Sequence, residues 1–325
     1  MKVLRFTLLV IHFMVIVLLW GTVLNSIIPP KVFPYANLLS LAFPFLMILN
    51  VALLLVWIVL RKKRALLFLV FTLFLFNPIR RWVNYSGEHA EKPNLKVVTA
   101  NIHSDLAGME KIHQTLKSYT PDIIIVQEYR DDLDIAGYPY YIKDYEIVAL
   151  ASKHKIIDHE KLTKTGNGNS FYADIDVNGR IIRVVNVYMN PFSFEKEKVK
   201  PVEDLEKNKG KVRYILKRLI PTFKIHQQEV DYIRTAIDDS PYPVILAGDF
   251  NAVPNSYEYY HLGKGLTDAF VAAGNGSGTS FHDYKFPIRL DYIFTSTEIK
   301  ALTYRVDRSV KISDHFPVIA EFKLN

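Results

Sequence analysis

The feature that most constrains the fold of this 325-residue chain is its N-terminal part, which holds long runs without acidic or basic side chains. The first run covers residues 6–28 and the second covers residues 32–60, with Pro29 and Pro30 between them. At about 1.5 Å of helix per residue, either run can cross a hydrocarbon core of roughly 30 Å. We therefore expect a helical hairpin of two transmembrane helices, at about residues 6–28 and 38–60.

A third apolar run, residues 65–79, follows the basic residues 61–64 and precedes Arg80 and Arg81. Its length corresponds to about 22 Å of helix, which is short for a membrane span. The two arginines could extend the usable length by placing their charged ends at the membrane surface. We expect a helix at about residues 65–83 that either crosses the bilayer or lies in its interface. A cleaved secretory signal is less favoured, because the first run is long and no small-x-small cleavage site follows it.

The excess of basic residues lies in the same N-terminal part of the chain. Residues 1–90 carry nine basic side chains and one acidic one, whereas the remainder carries 31 basic and 32 acidic ones. Lysine and arginine concentrate on the cytoplasmic side of membrane proteins, so Lys2, Arg5 and residues 61–64 are expected there. If the third run crosses, the rest of the chain lies outside the cytoplasm; if it lies in the interface, the rest is cytoplasmic. We favour the first arrangement, an integral protein of a bacterial-type inner or plasma membrane, anchored by residues 1–84.

The rest of the chain has the pattern of one large mixed domain. Residues 85–94 are polar, contain Gly and Pro, and are predicted to be a linker, and residues 95–325 are long enough for a single domain. Short β-branched runs alternate with helical stretches, and Asn178-Gly179 between two runs is a strong β-hairpin signal. Pro221 is expected to separate two helices. Strands mixed with helices and an antiparallel hairpin indicate an α/β or α+β sheet fold.

Polar side chains stand at the ends of most predicted strands. Strand ends from distant parts of the chain meet in layered sheet folds, so these side chains could form one cleft. The groups are Thr99-Ala100-Asn101, Val126-Gln127-Glu128, Asn186-Val187-Tyr188-Met189-Asn190, Gly248-Asp249-Phe250-Asn251, Arg289-Leu290-Asp291-Tyr292 and Ser313-Asp314-His315-Phe316-Pro317. The chain has no Cys, which excludes a thiol nucleophile. Carboxylate and amide oxygens suit Mg²⁺ or Mn²⁺, and a metal beside a His and an Asp can promote attack of water on phosphorus.

Together these segments resemble the endonuclease/exonuclease/phosphatase superfamily, which includes pancreatic-type deoxyribonucleases, abasic-site endonucleases, neutral sphingomyelinases and inositol-polyphosphate phosphatases. The similarity extends from Leu95 to Phe322, and its most specific motifs are Gly-Asp-Phe-Asn, Arg-Leu-Asp-Tyr-Ile-Phe and Ser-Asp-His-Phe-Pro in this order. The resemblance implies a four-layer α+β sandwich, with two packed mixed β-sheets flanked by helices, here preceded by N-terminal transmembrane helices. It also implies a hydrolase that uses Mg²⁺ or Mn²⁺ and in-line attack of water on a phosphodiester or phosphomonoester.

The resemblance also implies roles for individual residues. The implied metal site consists of Glu128, Asn101 and Asp314. The implied catalytic residues are His315, Asp249, Asn251, Asp291 and Tyr188, and the implied substrate-binding residues are Asn190 and Asn186. Asp249 would orient or activate the attacking water, and His315, paired with Asp291, would act at the scissile phosphate. Such a carboxylate partner raises the pKa of an imidazole and fixes its tautomer.

Two positions depart from the family pattern. The deoxyribonuclease-like and sphingomyelinase-like branches carry Asn-x-His where this chain has Asn186-Val187-Tyr188, which resembles the abasic-site endonuclease branch instead. His103 stands where that branch often has a metal-associated Asp, so one or two metals remain open. These departures support an alternative, a non-catalytic membrane-tethered binding module with the same fold.

The sequence does not decide which phosphate ester is the substrate, and it indicates no protein partner. Lipid headgroups, nucleotides and nucleic acid all remain candidates. The near-neutral domain lacks the broad basic field that a nuclease needs for phosphate contacts along a backbone. An anchor in the bilayer further favours substrates close to the membrane.

Overall fold

The computed structural model describes residues 2–87, 89–103, 107–130, 135–164, 166–195, 202–283 and 287–324. Its N-terminal part is helical and forms what we call the anchor bundle. The helices of the bundle are α1 (Lys2–Gly21), α2 (Tyr35–Val59), α3 (Arg64–Leu73) and α4 (Phe76–Arg80), and a 3₁₀ turn (Thr22–Ser26) follows α1.

Two segments of the bundle, Lys2–Ser26 and Tyr35–Val59, are long and apolar enough to cross a membrane, and Arg64–Leu73 is a shorter apolar helix. Only 28% and 22% of the apolar stretches of the two long segments are buried within the chain, so most of their side chains face outward. That outward apolar surface is unlike the core helix of a soluble protein. Length and composition alone do not distinguish a membrane span from a signal sequence.

The third segment of the bundle runs antiparallel to α2 and leads back toward the rest of the molecule. It begins at Arg64, just after α2 ends. Midway, the amide Nδ2 of Asn50 donates to Thr72 Oγ1 over 2.9 Å. Further on, the ring of Trp82 stacks on Phe43 with centroids 6.3 Å apart. Later residues of the third segment therefore contact earlier residues of α2, as expected for antiparallel segments.

A directed chain of hydrogen bonds joins the three helices inside the bundle. Trp57 Nε1–H can only donate, so His12 Nδ1 accepts this bond of 2.9 Å and the ring carries its proton on Nε2. His12 Nε2 then donates to Asn50 Oδ1 over 3.0 Å. Thr72, which accepts from Asn50, donates to the carbonyl of Phe68 over 2.8 Å. The polar side-chain atoms of this hydrogen-bonded series all have partners, as the apolar surroundings require.

Two six-stranded mixed sheets form the rest of the molecule. In spatial order the first sheet contains β13 (Ile299–Val306), β14 (Val318–Leu324), β2 (Leu95–Asn101), β3 (Ile123–Gln127), β5 (Val148–Ser152) and β4 (Tyr140–Tyr145). The second contains β10 (Thr267–Asp268), β12 (Asp291–Thr295), β9 (Val244–Asp249), β8 (Arg180–Tyr188), β7 (Asn169–Val177) and β6 (Lys155–Lys161). The pairs β2–β3 and β8–β9 are parallel, and the other pairs within these two sheets are antiparallel.

Helices cover both outer faces of the packed sheets. The helix α5 (Met109–Ser118) lies on the first sheet, and α6 (Leu205–Asp238) and α7 (Tyr257–Leu262) lie on the second. Between the sheets, β-branched and aromatic side chains such as Ile125 and Phe171 are fully buried, as the strand runs predict. The four-layer α+β sandwich with apolar N-terminal helices is therefore confirmed.

The hairpin prediction is also confirmed, but the helix break at Pro221 is wrong. Asn178 and Gly179 both have positive φ, 55° and 87°, in the turn that joins β7 to β8. In contrast, α6 continues through Pro221 as one 34-residue helix. The buried side chains of Leu219 and Phe223, on either side of the proline, hold both halves against the molecule, and this packing outweighs the lost backbone bond.

The end of the anchor bundle is docked on the sandwich rather than free at a membrane surface. Arg81 donates to Asn255 Oδ1 over 2.8 Å, and Arg80 donates to the carbonyl of Val271 over 2.7 Å. The short strand β1 (Val83–Asn84) pairs with β11 (Gly276–Ser277). The two arginines, expected to extend the third span, instead join it to the folded domain.

Candidate active site

The predicted site residues meet because of how the strands are paired. Asn101 ends β2, and Glu128 follows β3, its parallel neighbour. Tyr188 and Asp249 are register partners at the ends of the parallel strands β8 and β9, and Asp291 opposes Asp249 at the start of antiparallel β12. Parallel strand ends and an antiparallel strand start thus fall at one edge of the sandwich, which is where the cleft lies.

Left-handed backbone turns the side chains beyond these strand ends into the cleft. Glu128, His103 and Asn251 have φ of 52°, 37° and 45°. A non-glycine residue in this region is strained, by roughly 1–3 kcal/mol, and is retained where its surroundings impose it. Here the backbone N–H of Asn251 donates to Asp249 Oδ1 (2.8 Å), and that of His103 donates to Asn101 Oδ1 (3.0 Å). These three strained residues hold their side chains toward the cleft, as in many functional sites.

One end of the cleft is built around the carboxylate of Glu128. Its Oε1 accepts from Asn101 Nδ2 (2.9 Å) and from the hydroxyl of Tyr188 (3.0 Å). Its Oε2 lies 2.9 Å from His103 Nδ1, which is also 3.9 Å from Asp314 Oδ1. The side chains of Glu128 and Asp314 are 24% and 14% exposed, so this end is open to small ions and solvent.

The other end of the cleft holds a buried histidine–aspartate pair. His315 Nδ1 lies 2.8 Å from Asp291 Oδ2, and both side chains are at most 5% exposed. The opposite nitrogen, Nε2, lies 3.9 Å from Asp249 Oδ2. Asn101 Nδ2 also donates to that Asp249 oxygen over 3.0 Å, so Asn101 connects the two ends of the cleft.

The electrostatics of this buried end favour a charged imidazole. Burial alone would lower the pKa of His315, but the negative charges of Asp291 and Asp249 outweigh it and raise the pKa to about 10. Burial raises the pKa of Asp249 to about 7, against the opposing effect of the His315 charge. The pKa of Tyr188 is raised by burial and by the charge of Glu128, so its hydroxyl stays protonated and donates. At neutral pH, His315 is therefore a cationic hydrogen-bond donor, and the nearby carboxylate of Asp249 is suited to accept a proton.

The donor set fits a hard divalent cation. Glu128, Asp314, Asp249 and Asp291 bring four carboxylates to one cleft, and Asn101 adds an amide. One oxygen of Asp291, Oδ1, is buried without a hydrogen-bond partner among the described residues. Asp249, Asp291 and His315 also offer ligand atoms within 4.8 Å of one another. Oxygen donors of this kind suit Mg²⁺ or Mn²⁺, and a cation would offset the crowded negative charge.

Asn186 does not reach the cleft, contrary to its predicted substrate-binding role. Its side chain is fully buried between the sheets, where Nδ2 donates to the carbonyls of Val126 (3.1 Å) and Ala149 (3.0 Å). Its Oδ1 accepts from Gln127 Nε2 over 2.8 Å. Because both amide hydrogens and the oxygen are already bonded, Asn186 joins the two sheets behind the site.

Asn190 is likewise directed away from the cleft. Its side-chain oxygen accepts from the backbone N–H of Asn167 over 2.9 Å, and its backbone N–H donates to the carboxylate of Glu229 over 3.1 Å. Its carbonyl accepts from His226 Nε2 over 2.7 Å. Asn190 thus holds the loop after β8 on helix α6, and its predicted contact with substrate is not supported by the geometry.

The cleft includes residues that the sequence motifs did not indicate. Glu128 and His315 line one cavity of about 330 Å³ together with Asn37 and Leu41 of α2 and Phe192 of the loop after β8. Residues in an apolar run give no signal of facing a cavity. The polar Asn37 within that run was the one available hint.

Asn37 belongs to a buried polar junction between the anchor bundle and the sandwich. Its Nδ2 donates to the carboxylate of Glu258 over 3.0 Å, and its Oδ1 accepts from the backbone of Tyr257 over 2.8 Å. Glu258 in turn lies 2.8 Å from His226 Nδ1. The charge and hydrogen bond of Glu258, with the charge of Glu229, raise the pKa of His226 although burial opposes them. The bundle is therefore fixed beside the cleft.

A four-layer sandwich with a carboxylate-lined cleft and a histidine–aspartate pair has the architecture of phosphoric ester hydrolases. The sequence model of the Endonuclease/Exonuclease/phosphatase family matches residues 98–315, most of the sandwich. The chain belongs to the endonuclease/exonuclease/phosphatase family. A second model, described as a domain of unknown function (DUF8431), matches residues 5–82, the apolar helices. No curated protein matches the chain.

Solved structures share this fold. An endonuclease/exonuclease/phosphatase family protein from Bacteroides thetaiotaomicron is 18% identical, with a TM-score of 0.51, covering 70% of this chain and 94% of its own. The mannosyl-6-phosphatase Bt3783 of Bacteroides thetaiotaomicron VPI-5482 is 18% identical, with a TM-score of 0.51, covering 70% and 99%. The 3′ phosphatase NExo from Neisseria, bound to a product DNA hairpin, is 22% identical, with a TM-score of 0.49, covering 70% and 99%. At these identities the two Bacteroides thetaiotaomicron structures show the fold alone, and the similarity to NExo, with a TM-score below 0.5, carries nothing further.

Proposed function

We propose that the protein is a membrane-anchored, divalent-metal-dependent hydrolase that cleaves a phosphodiester or phosphomonoester. The observation that carries this proposal is the position of Glu128 and His315, which are far apart in the sequence and line the same cavity. Asn101 bridges the carboxylates of Glu128 and Asp249. A metal end and a proton-transfer end thus face one space large enough for a phosphoryl group and a substituent.

Each group has a definite part in the proposed reaction. Glu128, Asn101 and Asp314 would hold Mg²⁺ or Mn²⁺, which supplies positive charge to offset that of the phosphate. Asp249, with its raised pKa, would orient the attacking water and accept its proton. The water oxygen forms a bond to phosphorus as the bond to the ester oxygen breaks. The leaving oxygen takes a proton from solvent and Asp249 returns its proton to solvent, so the products are an alcohol and a phosphate or phosphate monoester. His315 Nε2–H would donate to a phosphoryl oxygen and stabilise the developing charge.

Tyr188 and Asn251 support this arrangement in different ways. Tyr188 is buried and directs its hydroxyl at Glu128, so we assign it to positioning that carboxylate rather than to contact with phosphate. Asn251 lines the cavity and donates through Nδ2 to the carbonyl of Met189 over 2.9 Å. Its side-chain oxygen and position beside Asp249 suit contact with the substrate.

The proposed membrane orientation follows from the geometry of the bundle. The basic residues 61–64 lie at the turn between α2 and α3, and Lys2 and Arg5 begin α1. The opposite end of the bundle contacts the sandwich through Asn25, whose Nδ2 donates to the carbonyl of Asn255 over 3.0 Å. Because basic residues favour the cytoplasmic side, we place the catalytic domain outside the cytoplasm, with residues 64–80 as the third crossing segment.

A hydrolysis assay on the full chain in detergent micelles tests the proposed activity. We expect Mg²⁺- or Mn²⁺-dependent release of p-nitrophenol from bis(p-nitrophenyl) phosphate, abolished by EDTA and restored by the metal. Glu128→Ala and His315→Ala should each remove the activity, whereas Glu298→Ala and His159→Ala, exposed matched controls, should keep it. Activity that survives in both site variants would mean that the active site is assigned wrongly. Binding of esters without turnover in the native chain would favour the non-catalytic module.

A protease-accessibility assay on intact cells tests the proposed side of the membrane. We expect protease added outside to digest the catalytic domain of spheroplasts while the basic turn 61–64 stays protected. Protection of the domain, with digestion only after lysis, would contradict this orientation.

A further inference from the structure

The cavity that holds the catalytic groups has a second, apolar part, which we call the chamber. Its wall is formed by Leu41 of α2, Leu219 and Phe223 of α6, Phe192 of the loop after β8, and Phe281. Phe192 packs against Phe223 with ring centroids 5.7 Å apart, and the ring centroids of Phe281 and His315 are 4.8 Å apart. The chamber therefore begins directly beside the imidazole that faces the scissile phosphate.

The lining of this cavity disfavours a substrate whose phosphate is esterified to a strongly charged group. None of the described residues that line it is Lys or Arg. A polynucleotide placed there would lack cations for its further phosphates, and a sugar would lose hydrogen bonds to water against a hydrocarbon wall. An apolar substituent would instead exchange water for aliphatic and aromatic surface, which is favourable.

The wall of the chamber also packs against the anchor bundle. Phe281 and Leu290, which line it, belong to the same buried apolar cluster as Val15 and Phe43 of the anchor bundle. Next to it, the tip between α1 and α2 exposes apolar side chains, with Ile27, Val32 and Phe33 at 75%, 74% and 45%. An exposed apolar tip at the end of apolar helices is suited to lie in the membrane interface.

From these observations we infer that the substrate is a lipid phosphate ester, whose phosphate lies between Glu128 and His315 and whose hydrocarbon chain occupies the chamber. This inference rests on the proposed hydrolase function and specifies its substrate class. The anchor bundle then has two roles, since Leu41 of α2 forms part of the substrate-binding wall. Substrate selection depends on the length and polarity of the group esterified to phosphate.

A series of alkyl p-nitrophenyl phosphodiesters tests the inference with one leaving group throughout. The full chain in micelles with Mn²⁺ is assayed on the methyl, hexyl and dodecyl esters and on thymidine 5′-(p-nitrophenyl phosphate). We expect kcat/KM to rise about 100-fold or more from methyl to dodecyl, and the thymidine ester to be a poorer substrate than dodecyl. Equal rates along the series, or preference for the thymidine ester, would overturn the inference while leaving the hydrolase function intact. No metal-dependent turnover of any ester would overturn the hydrolase function itself.

Variants separate binding in the chamber from partitioning into the micelle. Leu219→Gln should lower the dodecyl-to-methyl ratio of kcat/KM at least about tenfold, because it places an amide against the chain. Val212→Gln, on the exposed face of the same helix, is the matched control and should keep the native ratio. Leu41→Trp fills the chamber and keeps an apolar surface, so it should shift the preferred alkyl chain to a shorter length. This variant provides the test if Leu219→Gln does not fold. A native ratio in both folded chamber variants would contradict the inference.

Discussion

Two buried histidine–carboxylate pairs in this molecule have the same nitrogen–oxygen distance. They differ in whether the second ring nitrogen of the histidine has a hydrogen-bond partner. His315 lies 2.8 Å from Asp291 in the cleft, and His226 lies 2.8 Å from Glu258 at the junction with the anchor bundle. Nε2 of His226 is bonded to a backbone carbonyl at 2.7 Å. Nε2 of His315 forms no hydrogen bond with any described residue and faces the cavity. We therefore expect that a free nitrogen facing the cavity, and not the carboxylate partner, distinguishes a catalytic histidine from a structural one.

The largest expected effect separates the two pairs by function. His315→Gln should lower kcat/KM about 1,000-fold or more, because it removes a donor to the transition state. It should also lower the melting temperature, because it removes the positive charge beside the buried carboxylates of Asp291 and Asp249. His226→Gln should lower the melting temperature by several degrees and leave kcat/KM of the folded protein within about threefold, because its loss disrupts a buried network. Tryptophan-fluorescence melting and hydrolysis assays on the same preparations measure both quantities. Equal losses of activity in the two variants would remove the distinction.

A smaller effect is expected when only the partner of His315 is changed. Asp291→Asn removes a negative charge that holds the pKa of His315 at about 10, so the imidazole should lose its proton at lower pH. We expect kcat/KM to fall about 10- to 100-fold and the alkaline limb of its pH profile to move to lower pH. Profiles of the native chain and the variant from pH 6 to 11 measure this. If the alkaline limb stays at the same pH in the variant, a group other than His315 determines its position.

The junction pair is expected to respond to the loss of its anchor contact. Asn37→Leu leaves the carboxylate of Glu258 without one buried donor, which costs about 1–3 kcal/mol of folding stability. Thermal melting of the full chain should show a decrease of several degrees. Asn77→Leu, a change of the same residue type on the short helix α4, is the control and should have less effect. A larger decrease in the control would place the main contact elsewhere.

The smallest expected effect is the pH dependence of stability. The pKa of His226 is raised above its ordinary value of 6.5, so its contribution is complete below that pH and is lost as pH rises through the folded-state pKa. The pKa of Glu229 is also raised, by burial, and acts in the same direction. The melting-temperature gap between the native chain and His226→Gln should therefore be largest near pH 6 and should narrow toward pH 9. A gap that widens with pH would mean that His226 is neutral in the folded protein.

The cleft could be predicted from the sequence where motif and strand end coincide. Asn101, Glu128, Asp249, Asp291 and His315 each adjoin a β-branched run, so their convergence follows from strand pairing. Asn186 and Asn190 lie in similar positions, yet the side-chain amides of both are already bonded to other groups of the protein. Residue type and spacing do not show whether a polar group is already satisfied, and this is where the prediction failed.

The walls of the cavity were beyond prediction for a different reason. Leu41 lies in a run whose hydrophobicity is equally well explained by lipid, by another helix or by a substrate. Pro221 is a strong local signal for a helix end, but the flanking Leu219 and Phe223 are held by packing that only the assembled fold supplies. Local chemistry therefore located the reactive groups, and long-range packing decided what surrounds them.

The hydrogen-bonded series from Trp57 through His12 and Asn50 to Thr72 has a mechanical consequence for the cavity. In hydrocarbon, rotating or sliding one helix would strand a donor with nothing to replace its acceptor. Asn50 and Leu41 both lie on α2, about 14 Å apart along its axis. The series thus restricts rotation and sliding of α2, the helix that also carries Leu41, against α1 and α3.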